Sequence, residues 1–161
     1  MEEDILFIIC FWYNSEKGCN QKKVISNNKV KKILLVDDEP DVIYAIKNIL
    51  EDNGFQIDPL NDPRIALNSY KINFYDLVIL DIKMPKMDGF ELYIKIREKD
   101  PKVKICFLTA SEMYYEKFRK TRSEFRKIIE EECFIQKPIK NEELIRKLNS
   151  VMNIDITTMP R

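Results

Sequence analysis

From Lys31 to Met152 short apolar runs alternate with amphipathic segments, and this alternation limits the fold of the 161-residue chain more than any other feature. Strands are expected at Ile33–Asp37, Phe55–Leu60, Asp76–Asp81, Lys104–Thr109 and Cys133–Gln136. "DLVILD" is apolar on both faces, as in a strand covered on both sides. Pro40 suits the first turn of a helix, where its missing N–H is not needed. Val42, Ile46, Ile49 and Leu50 follow at helical spacing, and Gly54 supplies a stop. Asp62 and Pro63 open a second helix through Ala66, Leu67 and Tyr70. A third spans Gly89–Lys99, and a long fourth carries Tyr114, Phe118, Thr121, Phe125 and Ile128. Asn141 is expected to cap a fifth, with Leu144, Ile145, Leu148, Val151 and Met152 as its buried stripe.

Five such units predict a doubly wound α/β domain with a parallel sheet. Pro59 cannot donate to a central ladder, so the second strand belongs at an edge. That fits the strand order 2-1-3-4-5. The expected organisation is an N-terminal extension over 1–28, one domain over 29–153 and a tail over 154–161.

In open parallel sheets function collects at the carboxyl ends of the strands. Here those ends carry Asp37 with Asp38, Asp81, Thr109 and, just past the fifth strand, Lys137. The adjacent acids pose an electrostatic question. Two unit charges ~5 Å apart at an effective dielectric of ~20 repel by about 3 kcal/mol. Clustered carboxylates make a hard oxygen site of the kind Mg²⁺ occupies together with a phosphate. A carboxylate can attack phosphorus, and Lys137 and the Thr109 hydroxyl can meet the phosphoryl oxygens.

Composition removes several competitors. The chain has no histidine, which excludes Ser-His-Asp and Cys-His catalysis within it. Three glycines leave no Gly-rich phosphate loop. Lys+Arg and Asp+Glu balance at 27 each, so no global field favours nucleic acid. The apolar run "ILFIICFWY" (5–13) is too short to span a membrane, and acids precede it where a signal peptide needs bases. Cys10, Cys19, Cys106 and Cys133 form no CxxC pair and read as reduced thiols of a cytoplasmic protein, with Cys106 and Cys133 in buried strands.

"LLVDDEPD", "LVILDIKMPKMDGFEL", "FLTA" and "QKP" resemble, in order and spacing, the marker segments of the response regulator receiver domain of two-component signalling. The likeness is to the chemotaxis-type stand-alone receiver, whose fold is flavodoxin-like. The resemblance implies that Asp81 is the phosphoacceptor. It implies that Asp37 and Asp38 hold Mg²⁺ with Asp81, and that Lys83 gives its backbone carbonyl to the metal. By the same resemblance Thr109 and Lys137 bind the phosphoryl group, Thr109 and Phe134 form the switch, and Lys137-Pro138 is a cis peptide. The implied donor is a histidine kinase or phosphotransfer protein. The implied output is an altered face of the fourth helix, fifth strand and fifth helix, read by an unknown protein partner. Self-phosphorylation and hydrolysis would make the domain a modest enzyme and mainly a switch.

Glu39 reads as a helix N-terminal acid rather than a metal ligand, and Met84 to Gly89 as a structural turn. The segment between Thr109 and Lys137 is longer than is usual in the family, which predicts an extended fourth helix. With 24 residues after Lys137 in this sequence, no helix-turn-helix output domain is expected. The alternatives are a phosphatase with an aspartate nucleophile and a receiver-like scaffold that works unphosphorylated. A flavodoxin-like electron carrier is disfavoured, because acids after the first strand would repel a flavin phosphate.

Overall fold

The computed structural model describes residues 30–110 and 133–152. The expected fourth helix, the 1–28 extension and the 154–161 tail lie outside the described residues.

Five parallel strands form one sheet: β1 (Lys32–Val36), β2 (Gln56–Leu60), β3 (Leu77–Asp81), β4 (Lys104–Thr109) and β5 (Cys133–Gln136). Their order is β2-β1-β3-β4-β5, as predicted. The edge position of β2 follows from Pro59 in detail. Gln56 donates its N–H to the Lys31 carbonyl, and Leu60 accepts from the Asp37 N–H at 3.2 Å, so these residues turn their backbone groups toward β1. Backbone direction alternates along a strand, so Pro59 turns its nitrogen to the open edge, where no N–H is required.

Helices α1 (Pro40–Asp52), α2 (Pro63–Ser69), α3 (Gly89–Lys99) and α4 (Asn141–Met152) complete the described fold. Pro40 and Pro63 begin α1 and α2, and Asp62 accepts a hydrogen bond from the Arg64 N–H. Gly54, at φ 83°, follows α1 and donates to the Glu51 carbonyl. Five boundaries differ from expectation by one residue, two of them the starts of β1 at Lys32 and of β3 at Leu77. β1 ends at Val36, so Asp37 is the first residue beyond it. β2 starts at Gln56. Asn141 is the first residue of α4 rather than its cap, and the Lys140 carbonyl already accepts from the Leu144 N–H.

The sheet has two covered faces. Ile33, Leu35, Ile79, Cys106, Leu108 and Ile135 meet Ile46 and Leu50 of α1 and Leu144, Leu148 and Met152 of α4. Leu34, Val36, Val78, Leu80, Ile105 and Phe107 meet Ala66 of α2 and Phe90, Tyr93 and Ile96 of α3. Truncating a fully buried leucine such as Leu50 to alanine would cost about 2–5 kcal/mol. The expected stripe of α4 holds, with Ile145 and Val151 at its margin and Asn149 buried as well. Cys106 is buried as expected, whereas Cys133 is only half-buried. Among the described residues no helix is long and apolar enough to cross a membrane.

Candidate functional site at the carboxyl end of the sheet

Because β1, β3, β4 and β5 are consecutive in the sheet, their carboxyl ends meet on one rim. Asp37 is fully buried just past β1, and Asp81, the last residue of β3, is 4% exposed. Between them sits the Lys137 ammonium. Its Nζ donates to Asp37 Oδ2 at 2.6 Å and to Asp81 Oδ1 at 2.8 Å, and lies 3.7 Å from Glu39 Oε1. The other Asp37 oxygen accepts the Glu39 N–H at 2.9 Å, which ties the acid to the start of α1. Thr109 is buried at the end of β4, and its carbonyl accepts the Lys137 N–H at 2.7 Å. The Lys137-Pro138 peptide is cis.

An open cleft of about 500 Å³ lies over this group, lined by Asp38, Glu39, Asp81, Ile82, Lys83, Thr109 and Ala110. Its floor is fixed by backbone. Ile82 donates to the Leu108 carbonyl and Gly89 to the Ile82 carbonyl, both at 3.0 Å. Gly89 is packed so closely that a Cβ there would stand 2.2 Å from the Asp81 carbonyl oxygen. Asp88 caps α3 by accepting the Glu91 N–H at 2.8 Å. Met84 is buried, and Lys86, at φ 72°, turns the loop. The "KMPKMDG" segment thus wraps the end of β3 and starts α3, the structural part read for it.

Two upward shifts describe the electrostatics. Burial pushes the Asp81 carboxyl up and the nearby Asp37 charge adds to this; hydrogen bonds from Lys137 and the Lys83 N–H only partly counter it. Burial pulls the Lys137 ammonium down, but its hydrogen bonds to Asp37 and Asp81 outweigh that, and the net shift is upward. The lysine therefore stays charged and offsets the repulsion between the acids.

The site residues named from the sequence divide into two groups. Asp38, Asp81, Lys83 and Thr109 line the cleft. Asp37 lies behind it, with both carboxylate oxygens engaged. Phe134 is half-buried one strand over, its ring stacked on Phe107 at 5.0 Å and 22°. Among the described residues no three carboxylate or thiol groups form a ready-made metal cage. The donor set nevertheless suits Mg²⁺, which takes one or two protein carboxylates and keeps its remaining positions for water and phosphate. Two contacts had no signal in the sequence: the Asp37–Lys137 pair, 100 residues apart, and the approach of Glu39 to the same ammonium.

A doubly wound sheet in this order, with acids, a hydroxyl and a lysine gathered on its carboxyl rim, defines a flavodoxin-like signalling domain. Residues 33–149 match the response regulator receiver domain, and the chain belongs to that family, the receivers of two-component signalling. It is 31% identical over 117 residues to the transcriptional regulatory protein DltR of Streptococcus agalactiae serotype III (strain NEM316). That match covers 73% of this chain and 50% of DltR, so the chain spans half the length of this relative. Among solved structures, the response regulator TrrA from Thermotoga maritima, in complex with Mg(2+)-BeF, is 34% identical. It superposes with a TM-score of 0.62, over 76% of this chain and 99% of TrrA. The chemotaxis protein CheY4 of Vibrio cholerae is 26% identical, with a TM-score of 0.61 over 76% of this chain and 98% of CheY4.

Proposed function

We propose that this receiver is a phosphorylation-dependent switch that takes a phosphoryl group on Asp81 from a phosphohistidine of a histidine kinase or phosphotransfer protein. The observation that supports this most directly is the Lys137 ammonium held between Asp37 and Asp81, where Asp81 in turn lines a cleft with Asp38 and Thr109. An Asp81 carboxylate oxygen forms the new bond to phosphorus as the bond to the donor nitrogen breaks. Lys137 gives up a carboxylate partner for a phosphoryl oxygen, and the Thr109 hydroxyl donates to another. Asp38, Asp81 and the Lys83 carbonyl would hold Mg²⁺, with Asp37 behind them. When bound, the ion supplies positive charge to the phosphoryl oxygens.

The switch reading continues through β4 and β5. Thr109 moves toward the added charge, and Phe134, which now stacks on Phe107, turns into the space it leaves. The surface around β5 and α4, with the segment between β4 and β5, then presents a different face to a protein partner. That TrrA forms a complex with Mg(2+)-BeF supports a divalent ion and a phosphoryl-like group as ligands of this chain.

Intact mass after incubation with Mg²⁺ and a small acyl phosphate tests the reading. The wild type should gain one phosphoryl group, and Asp81→Asn should gain none. A wild type that never gains the mass overturns the switch, and a gain that persists in Asp81→Asn misplaces the acceptor.

A further inference from the structure

Cys106 and Cys133 are register partners in the hydrogen-bonded pair β4–β5. Register partners in a parallel pair point to the same face, and both cysteines pack in the cluster beneath α1 and α4. Neighbouring strands lie about 4.7–4.9 Å apart, inside the roughly 4.4–6.8 Å range of Cα separations that a disulfide bridges. The two thiols are unequal in access. Cys106 is fully buried, whereas Cys133 is half-buried. Cys133 is thus the more accessible of the two, with Cys106 beside it in the core.

We propose that Cys106 and Cys133 are a thiol pair that a hydroperoxide converts to a disulfide joining β4 to β5. The Cys133 sulfur attacks one oxygen of hydrogen peroxide. The O–O bond breaks, the thiol proton leaves with the departing oxygen as water, and Cys133 becomes a sulfenic acid. The Cys106 sulfur then displaces that hydroxyl. An S–S bond forms, an S–O bond breaks, and the hydroxyl leaves with the Cys106 proton as a second water. Two thiols lose two electrons and one peroxide gains them. The bond would lie three residues before Thr109 on β4 and four before Lys137 on β5. It would fasten β4, which ends at the Thr109 hydroxyl of the site, to β5, which leads into the Lys137 ammonium.

The test uses the full chain, wild type and with Cys10→Ser and Cys19→Ser together, so that no other thiol can pair. Each protein is treated with hydrogen peroxide, alkylated under denaturing conditions, and measured by intact mass and non-reducing peptide mapping. The expected result is a loss of two hydrogens, one peptide joining Cys106 to Cys133, and full reversal by dithiothreitol. Cys106→Ser should stop at a Cys133 sulfenic acid that dimedone traps, and Cys133→Ser should show neither product. Alkylated Cys106 and Cys133 peptides in the peroxide-treated wild type, or bonds only between chains, would overturn the proposal. Because the wild-type map needs no variant, the result does not depend on whether a serine substitution folds.

Discussion

Gly89→Ala is the substitution whose effect the structure fixes most closely. The added methyl would stand 2.2 Å from the Asp81 carbonyl oxygen, 3.0 Å from its carbonyl carbon and 3.1 Å from Ile82 Cα. All three are backbone atoms at the end of a buried strand, so none can swing aside as a long side chain would. Relief needs α3 and β3 to part by about an ångström. Overpacking of this kind costs about 1–3 kcal/mol. The Gly89 N–H bond to the Ile82 carbonyl is strained as well, worth about 1 kcal/mol. The higher helix propensity of alanine returns less than about 1 kcal/mol at a first-turn position. The expected net loss is about 1–4 kcal/mol, a fall in melting temperature on the order of 10 °C. Urea unfolding at unchanged m-value measures it. Gly54→Ala is the control. A Cβ there meets nothing within 4 Å, but φ of 83° costs about 1–2 kcal/mol by backbone conformation alone. Since Gly89 also bears on the Asp81 backbone, its variant should take up phosphoryl from acyl phosphate at least several-fold more slowly, while Gly54→Ala should not. Stability within about 0.5 kcal/mol of wild type for Gly89→Ala would refute the reasoning.

The remaining predictions concern the charges and the edge strand. Lys137→Met leaves Asp37 and Asp81 buried without their cation, and should lose about 3–5 kcal/mol at neutral pH. The loss should shrink on acidification as the carboxyls take up protons, which chemical denaturation across pH 4–8 would follow. In the wild type the Lys137 contribution is present in full below its ordinary pKa of 10.5 and is lost as pH rises through the higher folded value, so stability should decline in that alkaline range. Asp81 has the same sense in a more acidic range. Its folded pKa lies above the ordinary 3.8, so its ionisation subtracts stability as pH rises through the folded value. Asp81→Asn should therefore be at least as stable as wild type at pH 7; a midpoint clearly below wild type would contradict this. Pro59→Ala frees an N–H at the open edge of β2 without adding a ladder bond, and should change stability by less than about 1 kcal/mol in urea unfolding.

Much of the fold could be read because its signals are local. Apolar runs that lack a polar face mark the buried strands, and Pro59 alone places β2 at an edge. The rim residues followed from the topology, since Asp81, Thr109 and Lys137 need only the strand order to converge. Distances and partners were not legible. Asp37 was read with Asp38 as one acidic pair, yet Asp37 is buried and bonded to Lys137, whereas Asp38 faces the cleft. Strand alternation separates two such neighbours, but which one turns inward depends on where β1 ends, and that was misjudged by a residue. Buried Asp100 was missed as well. It closes α3 by accepting from the Tyr70 hydroxyl at 3.2 Å and the Asn73 N–H at 2.9 Å, groups 30 and 27 residues away. An aspartate after a helix carries no mark of such partners.

The Lys137 ammonium between two buried acids also has a consequence in time. A ribosome makes Asp37 first, Asp81 next and Lys137 last, 56 residues after Asp81. At about 5–20 residues per second the chain spends roughly 3–11 s with both acids made and no lysine to separate them. In that interval the carboxyl ends of β1 and β3 can close only by burying two like charges side by side. Closure of that rim is therefore disfavoured until the residue just past β5 is made, so the lysine that completes the site also favours closure of the core.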